Sequence, residues 1–170
     1  MKRRGTKRKA GTSLGLDYYA APNESVGFMV REVYRSLARS LQARIAREGV
    51  SIGMWFVLRT LWEEDGLSQR ELGDRIGLNA PTMVTALNAM ERAGFVKRVP
   101  HATDRRKTNI FLTKRGHELK DVLWPMATEV LGLALKGISR DQIQVMARHL
   151  KRMLTNLDSD PRTTRSSPLS

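Results

Sequence analysis

From residue 26 onward the apolar positions recur at three- and four-residue steps, the spacing of one face of an α-helix. Val26, Met29, Val30, Val33, Leu37, Leu41 and Ile45 form the first series, after the start signal Pro22-Asn23; they predict a helix of about twenty residues stopped near Gly49. Ser51 is placed to cap a shorter helix with Met54, Trp55, Leu58, Leu61 and Trp62 on one face, ending at Asp65-Gly66. Ser68-Gln69-Arg70-Glu71 has the form of a capping box, in which the serine takes an orphan amide and the glutamate reaches back to the cap. The short helix it opens carries Leu72 and Ile76 and closes at Gly77. Asn79 caps the next, with Pro81 in the first turn, where a missing N–H costs nothing. Its apolar positions are Met83, Ala86, Leu87 and Met90, and it ends at Gly94.

The period then changes. Phe95–Pro100 and Thr108–Thr113 are short runs of β-branched and aromatic residues flanking His-Ala-Thr-Asp-Arg-Arg-Lys (101–107), which predicts a hairpin with a charged tip. Thr113 or Lys114 starts a long helix through Leu119, Val122, Leu123, Met126, Val130 and Leu133, with a bend expected at Pro125 and an end at Gly137. A second capping box, Ser139-Arg140-Asp141-Gln142, opens a last helix with Ile143, Met146, Leu150, Met153, Leu154 and Leu157 on one face. Residues 1–16 and 158–170 have no apolar period and are expected to be disordered tails. The expected fold class is mainly α, with a helix-turn-helix, a two-stranded β-wing and long flanking helices.

Length allows one domain plus an arm, and a core that needs no staple. The chain contains no cysteine, which excludes disulfides, thiolate zinc sites, iron–sulfur clusters and thiol redox switches. No apolar run approaches a membrane span, and no apolar segment follows the basic start, so a cytoplasmic protein without membrane contact is expected.

The net charge of +13 is unevenly placed. Residues 1–9 hold six basic side chains and no acid, and residues 66–116 hold ten basic and four acidic ones. Residues 17–65 sum to −1. A localised excess of this kind is the electrostatic footprint of a polyanion partner.

Within residues 66–116 a short helix, a tight turn, a second helix and a basic hairpin follow in order. That arrangement lets the second helix enter a major groove. Seating Met83, Ala86, Leu87 and Met90 inward leaves Ala80, Pro81, Thr82, Val84, Thr85 and Asn88 outward. A merely solvated face is usually rich in Lys and Glu. This one is slim and neutral, with hydroxyl, amide and methyl groups suited to base edges. Arg98, Asp104, Arg105, Arg106 and Lys107 in the hairpin are placed to reach phosphates or a minor groove, with Asp104 able to brace Arg106. Ser68 and Gln69 at one helix start, and Asn79 at the next, are further candidate DNA contacts.

Taken together, Leu67-Ser68-Gln69-Arg70-Glu71-Leu72, the run Ala80–Val96, Asp104-x-Arg106, Leu112-Thr113-Lys114-Arg115-Gly116 and Gly137-Ile138-Ser139 resemble the MarR family of winged-helix transcriptional regulators from about residue 25 to 157. The resemblance implies that the Asp-x-Arg pair marks the wing. It also implies a homodimer, with residues 17–50 and 117–157 as dimerisation helices and 51–116 as the DNA-binding domain. The long flanking helices agree, since they carry more apolar surface than a unit of about fifty residues could cover. Two-fold symmetry would place the recognition helices roughly 34 Å apart on an imperfectly palindromic operator.

Members of the family often sense a small aromatic acid or its coenzyme A thioester. By position Arg39, Trp55, Arg59 and His117 would line such a cavity, although Trp55 and Trp62 also fit a plain core and the two arginines plain ion pairs. The absence of cysteine argues against the peroxide-sensing branch. His101, His117 and His149 lack ligand spacing, so no metal or other cofactor is expected. Phosphate loops, nucleophile elbows and carboxylate pairs in apolar settings are absent from the sequence, which argues against an enzyme. The expected function is repression of nearby genes. The alternative is an architectural or RNA-binding helical protein, disfavoured because the central block offers only Phe95 and Phe111 as stacking platforms.

Overall fold

The computed structural model describes residues 25–101 and 108–160. Six helices and three short strands follow in the order α1 (Val26–Ile45), α2 (Ile52–Glu63), β1 (Leu67–Ser68), α3 (Gln69–Ile76), α4 (Ala80–Arg92), β2 (Val96–Pro100), β3 (Thr108–Leu112), α5 (Lys114–Ala134) and α6 (Arg140–Asp158). By compactness the chain divides into two units, Met1–Leu37 and Ala38–Ser170.

Each helix begins where the sequence provides a side-chain acceptor for an orphan N–H. Ser51 accepts from the Met54 N–H, Asn79 from Thr82 and Thr113 from Gly116. Both capping boxes, Ser68/Glu71 and Ser139/Gln142, close reciprocally. Caps of this kind contribute about 1 kcal/mol each, and they set the boundaries to the residue. Between α3 and α4 the chain reverses at Gly77, whose left-handed φ of 75° spares it the Cβ clash any other residue would meet.

In the larger unit the last turns of α1 join the core through Leu41 and Ile45. Gln42 ties them to α2: its Nε2 donates to Val50 O at 3.3 Å and its Oε1 accepts from Ile52 N at 2.7 Å. Trp55, Val57, Leu58 and Leu61 of α2 are buried with Leu72 of α3, Met83, Leu87 and Met90 of α4, and Phe95 after it. Ile110 and Leu112 alternate inward along β3, and Leu119, Leu123 and Val130 complete the core from α5. The larger compact unit therefore includes the end of α1, where Leu41 and Ile45 are buried.

The strands form an antiparallel sheet in the order β1-β3-β2. Val96 pairs with Leu112 and Pro100 with Thr108, which is the hairpin the sequence predicts. A third strand joins it. Leu67 pairs with Ile110 and Ser68 with Asn109. Two residues are too few for an alternating pattern, so the sequence offered no sign of this strand.

Gly116 in the first turn of α5 lies hard against the hairpin, where an added Cβ would stand 2.1 Å from Phe95 O. Thr113 fastens the same junction, its Oγ1 donating to Gly94 O at 2.6 Å. Helix α5 continues as a helix through Pro125 and ends at Ala134, before Gly137. In α6 every residue but Ile143 is exposed.

Candidate nucleic-acid interface

The outward side of α4 is built by its inward side. Met83, Leu87 and Met90 are almost fully buried, which fixes the roll of the helix and leaves Ala80, Pro81, Thr82, Val84, Thr85 and Asn88 exposed. All six candidate groove residues therefore share one face. Thr85 Oγ1 donates to Pro81 O at 3.1 Å, so its methyl and its oxygen lone pairs are what it offers to a partner. Val84 is 39% exposed, an uncovered methyl pair beside it.

Besides Thr85, the candidate contacts Asn79, Ser68, Arg98 and Asn88 are engaged within the chain. Asn79 Oδ1 holds the Thr82 N–H at 3.0 Å as a helix cap. Ser68 Oγ donates to Glu71 Oε2 at 2.6 Å and accepts from Glu71 N, so its hydroxyl serves the capping box. Gln69 next to it occupies the first position of α3. Arg98 is part-covered in the middle of β2, away from the hairpin tip. Its Nη2 donates to Asn88 Oδ1 at 2.8 Å and its Nη1 pairs with Glu91 Oε2. An arginine facing α4 meets an amide and a carboxylate there, so within the chain its charge is matched. Asp104, Arg105, Arg106 and Lys107 lie outside the described residues.

Glu91 was not singled out from the sequence. Its partner sits seven residues on, across a helix end and a turn, beyond any helical i to i+4 rule. The hint available was an acid three residues after Asn88, facing the only arginine of β2. Asp65 was missed for the same reason. Its Oδ1 accepts from Gly66 N and Leu112 N, both at 3.0 Å, fastening β3 beneath the helix-turn-helix.

The four candidate effector residues occupy separate settings. Trp55 is buried in an aromatic cluster, 5.7 Å centroid to centroid from Trp62 and 6.4 Å from Trp124. Trp62 Nε1 donates to Gly116 O at 2.9 Å, which gives that indole a structural duty. Arg59 lies 3.7 Å from Glu63 Oε1 and lines a shallow pocket with Phe56, Thr60, Glu63, Arg75 and Ile76. His117 Nε2 stands 3.7 Å from Asp65 Oδ2. Arg39 is exposed on α1. That pocket contains only one of the four.

Comparison with known proteins agrees with this architecture. The MarR family model matches residues 50–108, the stretch that contains α2 to β2. The HTH-type transcriptional regulator TtmR of Methylorubrum extorquens is 29% identical over 90% of this chain and 78% of its own length. The crystal structure of the transcriptional regulator PA3341 superposes with a TM-score of 0.72 at 30% identity, covering 79% of this chain and 98% of that one. Reduced AbfR bound to DNA shares the fold, with a TM-score of 0.66 at 24% identity over 78% of this chain and 92% of that one. The family match and these relatives define the class: a DNA-binding transcriptional regulator of winged-helix fold. The chain belongs to the MarR family.

Proposed function

We propose that this protein is a homodimeric repressor that reads a pseudo-palindromic operator with α4 and is released from it by a small effector. The observation that carries the proposal is the face of α4: six slim, uncharged residues stand exposed on a helix whose opposite side is locked into the core. Such a face can lie close to base edges, with Thr82, Thr85 and Asn88 making hydrogen bonds and Ala80, Pro81 and Val84 packing against thymine methyls. Arg105, Arg106 and Lys107 hold the wing on phosphates or in the minor groove, with Asp104 bracing Arg106, and the N–H groups at the starts of α3 and α4 add phosphate contacts.

The homodimer is supported by surface that the chain leaves uncovered. Val145, Met146, Leu150, Met153, Leu154 and Leu157 of α6 are 37 to 63% exposed, and Val122, Trp124, Leu131 and Leu133 of α5 are 43 to 56% exposed. Soluble monomers rarely leave contiguous apolar area of that extent in water. Two copies related by a two-fold axis would cover it and present two recognition helices to successive major grooves. Release by a small aromatic acid or its thioester is supported by the resemblance to a family whose members often sense such ligands.

The test is selection from a random duplex pool, followed by a salt series on the winner. A palindrome preferred by roughly a thousandfold or more over random duplex is expected. Thr85→Ala should change which operator is preferred. Arg106→Ala should weaken operator binding several-fold with the dimer intact. A flat preference with a steep salt slope would sink the repressor and favour the architectural or RNA-binding alternative. Aromatic acids that fail to release the duplex would remove the effector alone.

A further inference from the structure

Asn88 stands on the exposed face of α4, and its amide is not free to turn. Arginine carries donors only, so the Arg98 Nη2 that meets the amide at 2.8 Å identifies the inward end as the oxygen. The second arm of the same guanidinium is held by Glu91, and the Arg98 side chain is only 25% exposed. The fork is thus anchored at both tips under the edge of the helix. What Asn88 turns outward is Nδ2, with two N–H donors, for which no partner occurs among the described residues.

This changes what Asn88 can read. An asparagine free at both ends pairs with adenine, its oxygen accepting from N6 and its nitrogen donating to N7. Here the oxygen is already engaged by a cation. Guanine offers two acceptors, N7 and O6, to the two donors that remain. Adenine would set its N6 donor against an N–H, and cytosine presents only a donor.

We propose that Arg98 is a positioning residue that turns Asn88 into a donor-only reader, selecting guanine over adenine and cytosine at the operator position it faces. The proposal rests on α4 entering the major groove. Charge from Arg98 is matched by Glu91, so its contribution lies in orienting the amide and not in attracting phosphate.

Sequence selection from a random duplex pool, run in parallel on the full chain and its variants, tests this. Asn88→Ala should lose the preference at one position per half-site. Arg98→Met keeps the aliphatic stem and drops the fork. The double variant Arg98→Met/Glu91→Gln drops it at unchanged net charge. In both, discrimination of guanine from adenine at that one position should fall by about tenfold, with other positions unaltered. Arg98→Lys keeps a cationic donor group without the planar fork and should recover part of the preference, and circular dichroism checks that every variant is folded. A preference untouched in the double variant, or a loss spread evenly over all positions, overturns the role of Arg98. Unaltered specificity in Asn88→Ala overturns it as well. If the wild type itself selects no sequence, α4 does not read a groove, and that outcome is recognised because all variants are then equally flat.

Discussion

Helices α4 and α6 carry comparable apolar stripes and end in opposite environments. Met83, Leu87 and Met90 of α4 are at most 1% exposed, whereas Leu150, Leu154 and Leu157 of α6 are 40 to 63% exposed. Both helices are capped, α4 by Asn79 and α6 by a capping box, so the contrast does not lie in how they are formed. It lies in what faces them. Around α4 the same chain supplies α2, α3 and the hairpin; for α6 the described residues supply almost nothing. An amphipathic period states that a face will be covered and is silent on the identity of the cover.

The contrast can be broken most severely at the junction that closes the winged helix. Gly116→Ala would drive a Cβ to 2.1 Å from Phe95 O, a backbone atom that cannot step aside without moving the hairpin. A loss of about 4 kcal/mol or more in unfolding free energy is expected, among the large effects tied to a named clash. Denaturant titration monitored by tryptophan fluorescence measures it, and a loss below about 1 kcal/mol would show the junction to be soft.

For α6, Leu150→Glu/Leu154→Glu should leave the winged helix folded and abolish the proposed dimer. Desolvating two carboxylates against an apolar partner should weaken association by several kcal/mol, on the order of a hundredfold or more in dissociation constant. Sedimentation equilibrium reads the assembly and the near-ultraviolet spectrum reads the fold. Retained association would place the partner face elsewhere.

The two capping boxes make a finer probe. Ser68→Ala and Ser139→Ala each remove a cap worth about 1 kcal/mol. For Ser68 the loss should appear in the melting of the winged helix. For Ser139 it should appear in the concentration dependence of melting, if the exposed face of α6 is covered by a second copy as proposed. Identical behaviour of the two variants would erase the distinction drawn here.

The smallest effect concerns the exposed pair that joins α1 to α5. Arg44 Nη2 donates to Glu129 Oε1 at 2.8 Å. That hydrogen bond, and then the attraction of the charges, hold the Glu129 carboxyl below its ordinary 4.5. A carboxylate with a lowered native pKa contributes stability above its unfolded pKa and loses it as pH falls through the native value. The melting temperature of the wild type should therefore exceed that of Glu129→Gln slightly at neutral pH, with the gap closing on acidification to about pH 3. A gap independent of pH would show that the carboxylate's charge is not its source.

Much of the fold was legible because its signals are local. Ser51, Ser68, Asn79, Thr113 and Ser139 each act on an amide three residues away, so each helix start could be read from neighbours in the sequence. The hairpin strands were readable from the β-branched and aromatic runs Phe95–Pro100 and Thr108–Thr113 on either side of a charged stretch. Strand β1 was not, since two residues carry no period and its existence depends on Ile110 and Asn109, more than forty positions away. The effector residues were inferred from position alone. Trp55 turned out to be packed among Trp62 and Trp124, and no local pattern separates a core tryptophan from a pocket tryptophan.

The sequence by itself determined where the helices start and stop, which faces are apolar, and that a slim neutral helix precedes a basic hairpin. These follow from interactions spanning a few residues, whose geometry the backbone dictates. Only the tertiary structure decided that Arg98 faces Asn88 and Glu91, that Gly116 must stay bare against Phe95, and that α6 is left uncovered by the other described residues. Each of these depends on which surfaces meet across long stretches of chain. Contacts of that kind are chosen by shape and by the pairing of buried polar groups, quantities that appear only once the elements are packed.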